Sequence, residues 1–415
     1  MAMSAAKPAI QMIWTRPVDE QPQAGRLRIA ASIRDALREG AEVNEIVIST
    51  AMELYGRAWP FAVGWSWLKA LLRGEMLPVQ CALFATGRQV REVCERLDTG
   101  AEAIYLDGVR SLAVLEAVRN RNPTAHIVVD LDDLMSRRMR LLRALGETLS
   151  PGYLISRLSP TVVRLLSGTL GTLLVRYEEQ TLRGAEARVC ELADAIVLLS
   201  DADMKELEPS GCARRLRIAP SHSTLGNGLP ARLEGALRFV FIGSDQLTQN
   251  RLSIDYLREL WRKYEIPTPL VIYGIQRRQV ELPPNVRYGG YVADLQEVYD
   301  GESILLAPSF LRGGIKTKVL EAFAYGAPVI GNSASFEGLD NFDYPLTVDD
   351  EAQLVALLVA PEAFRARLIE AARCGLDRIR KAHSPETFTR TWLEAMGIAP
   401  VGLPCVHAQR GVEVG

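Results

Sequence analysis

Short apolar segments alternate with helix-length amphipathic segments along most of this chain, and they do so in two separate series. The first series of predicted strands is Ala9–Trp14, Glu45–Ile48, Ala82–Ala85, Ala103–Leu106, His126–Asp130, Ala195–Leu199 and Leu216–Ala219. The second is Leu237–Gly243, Leu270–Gly274, Val286–Tyr288, Ser303–Ala307, Pro328–Gly331 and Pro345–Val348. Strands that alternate with helices form parallel sheets with right-handed crossovers. The sequence therefore predicts an α/β protein with two Rossmann-like domains.

A turn-rich stretch without periodicity, Ser221–Pro230, separates the two series and is the expected linker. We therefore expect an N-terminal domain at residues 1–220 and a C-terminal domain at residues 221–384. Residues 401–415 have no hydrophobic periodicity, and we expect them to be disordered.

The charge of the chain is nearly balanced, with 48 Lys and Arg against 50 Asp and Glu. This balance argues against a protein that coats nucleic acid, which would need a basic domain. The six cysteines form no CxxC pair, so we expect free thiols and a reducing, cytoplasmic setting. Only seven of the cations are Lys, and two of these, Lys316 and Lys318, lie two residues apart.

The stretch Ser303–Leu339 carries the clearest chemical signal. Its pattern predicts a strand, a loop with Gly313 and Gly314, a helix over Ile315–Tyr325 and a second strand. A glycine loop that leads into a helix N-terminus offers free amides and the positive end of the helix dipole, and this is a site for an anion. Thr317, Lys318 and Glu321 share one face of the predicted helix, so Lys318 can reach a phosphate while Glu321 accepts hydrogen bonds from sugar hydroxyls.

The same stretch resembles the donor-binding half of glycosyltransferase family 4, which has the GT-B fold. The matching segments are Gly290–Leu295, Tyr299, Pro308–Ser309, Lys318–Ile330 and Glu337–Leu339. The resemblance implies a retaining hexosyltransferase that takes a sugar from a nucleotide-diphosphate donor without a metal cofactor. It also implies that the N-terminal domain binds a saccharide or lipid-linked acceptor, that a helix near 385–400 crosses back onto that domain, and that the setting is surface polysaccharide or glycolipid synthesis.

Transferred to this chain, the resemblance assigns Glu321 to the ribose, the amides of Gly314–Lys316 to the diphosphate, and Tyr273–Gly274 with Tyr291–Val292 to the base. The full set of expected donor-binding residues is Gly25, Gly243, Arg251, Tyr273, Gly274, Tyr291, Val292, Arg312, Gly313, Gly314, Ile315, Lys316, Thr317, Lys318 and Glu321.

Three positions depart from the family pattern. Gly313 stands where the family carries a first Glu, and Ser244 and Gln249 replace an Arg and a Lys. We expect Arg251, Arg312, Lys316 and Lys318 to supply the missing positive charge. The departures leave two alternatives open: a non-catalytic GT-B subunit that binds a nucleotide sugar, and a GT-B-fold sugar-nucleotide epimerase, which the scarcity of histidine disfavours.

Carboxylates cluster at the end of the predicted strand His126–Asp130. Asp130 or Asp132 is the candidate for orienting or deprotonating the acceptor hydroxyl, with Arg137 nearby as a third catalytic candidate. A metal-binding Asp-x-Asp pair is disfavoured because it lies far from the donor motif. The remaining alternative is that Asp132 or Asp133 caps the next helix.

Two segments suggest contact with an anionic membrane. Residues 134–177 carry seven Arg against one Glu, and residues 59–73 contain three Trp. Basic amphipathic helices with aromatic residues suit such a surface, and a lipid-linked acceptor would account for both segments. The alternative is a helical insert that packs on the N-terminal domain and exposes a solvated basic face.

Overall fold

The computed structural model describes residues 7–19, 25–147, 169–207, 213–223, 228–278, 280–339 and 342–399. The predicted disordered tail and residues 148–168 of the basic segment lie outside the described residues. The strands are β1 (Ala9–Trp14), β2 (Glu42–Val47), β3 (Ala103–Asp107), β4 (His126–Asp132), β5 (Ala195–Leu198), β6 (Arg214–Arg217), β7 (Arg238–Ile242), β8 (Leu270–Tyr273), β9 (Val286–Gly290), β10 (Ser303–Leu306) and β11 (Val329–Ile330). The helices are α1 (Gly25–Gly40), α2 (Ala51–Tyr55), α3 (Trp59–Leu72), α4 (Val79–Ala82), α5 (Gly87–Arg96), α6 (Leu112–Arg121), α7 (Met135–Ala144), α8 (Thr169–Leu192), α9 (Asp201–Glu206), α10 (Thr248–Tyr264), α11 (Thr317–Ala324), α12 (Glu351–Val359), α13 (Arg365–Ala382) and α14 (Pro385–Ala395).

Strands β1 to β6 form one parallel sheet in the order β2-β1-β3-β4-β5-β6. Its central strands are covered on both faces, which explains why they read as continuous apolar runs in the sequence. Strand β2 lies on one side of β1 and β3 on the other, so the direction in which successive strands are added to the sheet reverses between β1 and β3. Ligands of open α/β sheets bind beyond the carboxyl ends of the strands at such a point.

Strands β7 to β11 form a second parallel sheet in the order β11-β10-β7-β8-β9. In this sheet the order of strand addition reverses between β7 and β10, which lie side by side. Gly243 directly follows β7, and the glycine loop that precedes α11 follows β10. The topology therefore brings both glycine-bearing turns to one edge of the sheet.

Helix α14 packs on the N-terminal sheet and on α1. The Trp392 ring meets Tyr105 of β3 edge-on, with 5.7 Å between ring centroids. Leu393 fills the space beside Gly40, where a Cβ would come within 2.7 Å of its Cδ2 atom. His126 lies at the amino end of β4, where its Nε2 is 2.8 Å from the Ala395 carbonyl oxygen. These contacts tie the end of the described chain to the first sheet.

Two predicted strands are not strands in the structure. Residues 79–82 form the short helix α4, and the buried side chains of Leu83 and Phe84 follow it before Thr86 caps α5. A short apolar run fits a buried helical turn as well as a strand, and periodicity alone does not separate the two. The segment Pro345–Val348 contributes only an isolated parallel bridge between Thr347 and Gly331. None of the helices in the described ranges is long and apolar enough to cross a membrane.

Candidate functional site

The glycine loop before α11 is shaped by two residues with left-handed backbone. Gly313 and Gly314 have φ values of 103° and 58°, which a side chain would strain. Their amides are already used, because Gly313 N donates to Glu337 and Gly314 N donates to Asp203. This corrects the expected role of the Gly314 amide in holding a diphosphate. In the first turn of α11 the Val319 amide donates to the Lys316 carbonyl at 2.9 Å, and the amides of Thr317 and Lys318 remain as the candidates.

The two clustered lysines point their ammonium groups at neutral acceptors. Lys316 Nζ donates to the Gly313 carbonyl at 2.7 Å, and Lys318 Nζ donates to Asn250 Oδ1 at 2.9 Å. Lys318 Nζ also lies 4.0 Å from the centroid of the Phe241 ring. Desolvation lowers the pKa of Lys318 to about 7 and that of Lys316 to about 8. An anion that approaches either ammonium group would therefore stabilise its charged form.

Gly243 makes the Lys318 site possible. A Cβ on Gly243 would lie 2.6 Å from Asn250 Cγ, so only glycine allows the start of α10 to approach β7 so closely. Gly274, at φ 116°, packs against the backbone of Gly243 in the same way. Both glycines were expected to bind the donor, and in the structure they shape the backbone beside Lys318.

Glu321 of α11 pairs with Arg28 of α1, which joins the carboxyl edges of the two sheets. Burial raises the pKa of Glu321, although Arg28 and Lys318 act in the opposite direction. A cavity of about 590 Å³ adjoins this pair. It is lined from the N-terminal side by Arg28, Ile29 and Ser32, from the C-terminal side by Tyr291, Ala293, Asp294, Leu295, Thr317, Glu321 and Tyr325, and by Ser221, His222, Ser223 and Pro385.

The cavity brings together some of the expected donor-binding residues and leaves others outside. Glu321, Thr317 and Tyr291 line it. Val292 and Ile315 pack against the C-terminal core, and Tyr273 packs over Gly289, where a Cβ would meet its ring at 2.4 Å. Tyr273 is thus a packing residue and does not line the cavity. Gly25 begins α1.

The two arginines expected to replace the missing phosphate cations are paired with carboxylates. Arg251 contacts Glu147 at the end of the segment after α7, and Arg312 Nη1 lies 3.0 Å from Glu337. Each guanidinium must leave its carboxylate, or share it, before it binds a phosphate. The lysines are therefore better placed for that role than the arginines.

A buried network surrounds Arg26 at the carboxyl edge of the first sheet. Arg26 Nη2 lies 2.9 Å from Asp107 and 2.8 Å from Asp130, and Asp130 also accepts from the Tyr105 hydroxyl and the Asp132 amide. Burial opposes the charge of Arg26, but the carboxylates outweigh it and raise its pKa well above the usual range. Asp130 is therefore enclosed, and its carboxylate holds Arg26 instead of facing the cleft.

Asp132 is the more accessible carboxylate of the pair. Its side chain is 25% exposed against 1% for Asp130, and it sits at a bulge of β4 with a left-handed φ of 66°. Burial, reinforced by the neighbouring Asp133 and Asp130, raises the pKa of Asp132 to about 6 despite the opposing charge of Arg26. Arg26 Nη1, 3.6 Å from Asp132, is buried without a hydrogen-bond partner. Neither Asp132 nor Asp133 caps α7, which begins after Leu134 with no side-chain cap.

Arg137 joins the two domains. Its guanidinium lies 3.1 Å from Asp203 and 3.2 Å from Glu206 in the N-terminal half, and 2.6 Å from Glu337 in the C-terminal half. With all three nitrogens paired, Arg137 holds the interface closed beside the glycine loop. A direct catalytic contact would require it to give up one of these carboxylates.

Four arginines in the described part of the basic segment after Asp132 are paired with carboxylates. The pairs are Arg138 with Asp133, Arg140 with Glu206 and Arg143 with Glu179, in addition to the three carboxylates of Arg137. Every one of these acids lies outside residues 134–177. Counted along the sequence, the segment is strongly basic, but these four arginines do not form a free cationic face.

Two residues of the cavity were missed from the sequence. Arg28 follows the first strand, but no pattern in the sequence linked it to Glu321. His222 has no partner spacing, yet the linker places it in the cavity wall, where burial, followed by His383 and Arg28, lowers its pKa to about 4. Their positions depend on the docking of the two domains.

The family model described as glycosyl transferases group 1 matches residues 236–363. A sequence search among curated proteins found no match. Among solved structures, sucrose-phosphate synthase from Thermosynechococcus elongatus is similar with a TM-score of 0.60 and 14% identity over 94% of this chain and 98% of that one.

Two further structures are similar over 94% of this chain. HepE from Anabaena, in complex with UDP and glucose, has a TM-score of 0.59 and 13% identity over 99% of its own chain. The E. coli trehalose-6-phosphate structure bound with UDP-2-fluoro glucose has a TM-score of 0.56 and 13% identity over 100% of its chain. At these identities the likeness concerns the fold, and it confirms the predicted GT-B arrangement.

Proposed function

We propose that this chain, a glycosyltransferase of GT-B fold whose residues 236–363 match the glycosyl transferases group 1 model, is a retaining enzyme that uses a nucleotide-diphosphate sugar. The observation that carries the proposal is that Thr317 and Glu321 of α11 line one cavity between the two domains, while the neighbouring Lys318 holds its ammonium 2.9 Å from Asn250 Oδ1. A carboxylate for ribose hydroxyls and an ammonium with a helix N-terminus for phosphates are what such a donor requires.

The donor charge is balanced in this proposal by Lys316, Lys318 and the N-terminus of α11, without a metal ion. When ribose hydroxyls bind Glu321 they displace Arg28, and its guanidinium then adds to the positive charge around the diphosphate. We propose UDP as the first nucleotide to test, because two of the similar structures hold UDP or a UDP-sugar analogue.

Asp132 is the group that we propose to orient the acceptor hydroxyl. It is the more accessible carboxylate of the pair, its pKa of about 6 suits a proton acceptor near neutral pH, and Arg26 Nη1, which makes no hydrogen bond, lies 3.6 Å from it. Asp130 and Arg137 have positioning roles in this proposal. Asp130 binds Arg26, and Arg137 holds the two domains together.

The acceptor in this proposal is a saccharide or a lipid-linked saccharide, in the synthesis of a surface polysaccharide or glycolipid at the cytoplasmic face of an anionic membrane. The four cysteines of the described ranges are free, three of them buried, which agrees with a reducing compartment.

Thermal unfolding with UDP, GDP and dTDP tests nucleotide binding, because a ligand of the folded state raises Tm with its concentration over Kd. We expect one of the three to raise Tm, and we expect Glu321→Gln to remove most of the shift. Glu370→Gln, an exposed carboxylate on α13, is the matched control and should behave like the wild type. The proposal is wrong if no nucleotide stabilises the wild-type chain.

Turnover separates the remaining possibilities. Asp132→Asn should lower transfer by roughly 10²-fold or more while the nucleotide Kd is unchanged, and turnover should persist in EDTA. The anomeric configuration of the product, read by NMR, decides retention. Binding without transfer across an acceptor panel would favour the non-catalytic subunit, and conversion of the sugar without an acceptor would favour an epimerase.

A further inference from the structure

Helix α3 is apolar on the side that packs against the protein. Lys69 is the only charged residue within Trp59–Leu72. Val63 and Ala70 are buried, and the Trp67 ring meets Tyr177 of α8 edge-on at 6.4 Å. These contacts anchor α3 on the N-terminal domain and use one face of the helix.

The opposite face of α3 is also apolar, but it is open. Phe61, Trp65, Leu68 and Leu72 are 82%, 58%, 44% and 79% exposed. At 100° per residue they fall within an arc of about 60° and span about 16 Å of helix. A helix that is apolar all round is normally enclosed on every side, and an exposed apolar stripe of this length marks an interaction surface.

The neighbouring helix enlarges this surface. Leu173 and Leu170 of α8 lie one and two turns before Tyr177, on the stripe that meets Trp67. Both leucines are exposed. The apolar surface is therefore shared by two helices that contact each other.

Only basic charges accompany the stripe within residues 54–74. They are Arg57, Lys69 and Arg73, and the nearest acids in the chain, Glu53 and Glu75, lie beyond the two ends. Lys69 Nζ lies 5.5 Å from the centroid of the Trp65 ring, so its stem covers the aromatic side chain while its charge stays at the edge. A tryptophan and leucine face bordered by cations is the pattern that an anionic bilayer surface binds.

A second copy of the chain fits this surface less well. A two-fold contact of the stripe with itself would place the three cations of each copy opposite those of the other. Residues 54–74 offer no carboxylate to neutralise them, and like charges across an interface are unfavourable.

We propose that the α3 stripe, Phe61, Trp65, Leu68 and Leu72, inserts into the surface of an anionic lipid bilayer and docks the N-terminal domain there. The docking brings the acceptor domain to lipid-linked acceptors, and this consequence rests on the proposed function. The lipid contact itself does not depend on the reaction, and it is tested without donor or acceptor.

Flotation of the full chain with phosphatidylcholine vesicles, with and without phosphatidylglycerol, tests the contact. The wild type should float with the anionic vesicles, and its binding should weaken between about 0.1 M and about 1 M salt, where screening becomes strong. Phe61→Ser with Trp65→Ser should abolish flotation. The control Val359→Ser, an exposed apolar residue at the end of α12, should float like the wild type.

The charges are tested separately. Lys69→Gln and Arg73→Gln should each weaken anionic binding roughly fivefold, since each basic residue contributes about 1 kcal/mol near such a surface. All variants change exposed positions and should keep the wild-type Tm. Nucleotide-induced stabilisation, measured on the same samples without vesicles, reports on the proposed function independently.

Three results would overturn the inference. The first is a wild type that does not float with anionic vesicles, and the second is flotation that is indifferent to salt or equally lost in the Val359 control. The third is a dimer in sedimentation velocity that Phe61→Ser with Trp65→Ser converts to monomer, because the stripe would then be an interface between copies of the chain.

Discussion

The charge of Lys318 depends on neighbours that come from three different elements. Asn250 of α10 accepts its hydrogen bond, Phe241 of β7 lies beneath it, and Glu321 is one turn away on α11. The sequence pointed to Lys318 because lysine is scarce in this chain. It did not indicate that the ammonium would be desolvated, since that depends on where the ring and the amide fold.

The lowered pKa of Lys318 predicts a pH dependence of nucleotide binding. In the free protein the ammonium, with a pKa of about 7, loses its proton as pH rises, followed by Lys316 at about 8. A diphosphate binds the protonated form, so the affinity for the nucleotide that stabilises the chain should fall between pH 7 and 9. Lys318→Arg, which stays charged in this range, should bind with a much flatter profile in isothermal titration.

Lys381→Arg is the control for that experiment, since Lys381 is an exposed lysine at the end of α13. It should keep the wild-type pH profile. Superimposable profiles for the wild type and Lys318→Arg would exclude Lys318 from the phosphate site.

Helix α11 owes its position to a close approach of α13. A Cβ at Gly375 would come within 2.3 Å of the Phe323 ring, and Phe323 is fully buried on the inner face of α11. Phe323 is bordered by Tyr344 and Phe342 on its other sides, so the ring has little room to yield. The helix that carries Lys318 and Glu321 is thus held in place by the packing of α13 against its buried face.

Gly375→Ala should therefore destabilise the protein by about 1–3 kcal/mol, because the extra methyl group overpacks the core. It should also weaken nucleotide binding, because α11 moves toward the cleft. Gly184→Ala is the matched control on α8, where nothing lies within 4 Å of the new Cβ. It should stabilise the helix by about 0.5–1 kcal/mol. Denaturant unfolding measures both, and equal stability of the two variants would contradict the packing argument.

The two domains are held together by carboxylates and guanidinium groups at the edge of the cleft. Glu337 accepts from Arg137 at 2.6 Å, from Arg312 at 3.0 Å and from the Gly313 amide at 3.0 Å. Burial acts to raise the pKa of Glu337, but Arg137, Arg312 and the amide outweigh it and lower the pKa. A carboxylate with a lowered pKa stabilises the fold above its ordinary titration range, and this contribution is lost as pH falls through the folded-state pKa.

Glu337→Gln removes the charge but keeps the shape, so it should leave the guanidinium of Arg137 partly unpaired at the interface. We expect a loss of roughly 3 kcal/mol of stability and a calorimetric transition that separates into two as the domains uncouple. Glu191→Gln, which affects an exposed pair with Arg188 within the N-terminal domain, should leave the transition unchanged. A single, unshifted transition for Glu337→Gln would show that other contacts couple the domains.

The sequence by itself determined three features of this protein: the alternation of strands and helices, the glycine loop before α11, and the grouping of Lys318 with Glu321 on one helix face. Each of these depends on residues within a few positions of one another. The prediction of a strand at Ala82–Ala85 was wrong because it, too, used only local sequence, and a short apolar run is compatible with either a strand or a helical turn.

Only the tertiary structure decided which charges meet. Arg28 and Glu321 are almost three hundred residues apart, Asp130 is enclosed by Arg26 and Tyr105, and the four arginines of α7 are paired with acids from outside residues 134–177. Pairing over such distances follows from how the two sheets dock and not from local spacing. The exposed face of α3 was settled in the same way, because its sequence is apolar all round and only the packing shows which side the protein leaves open.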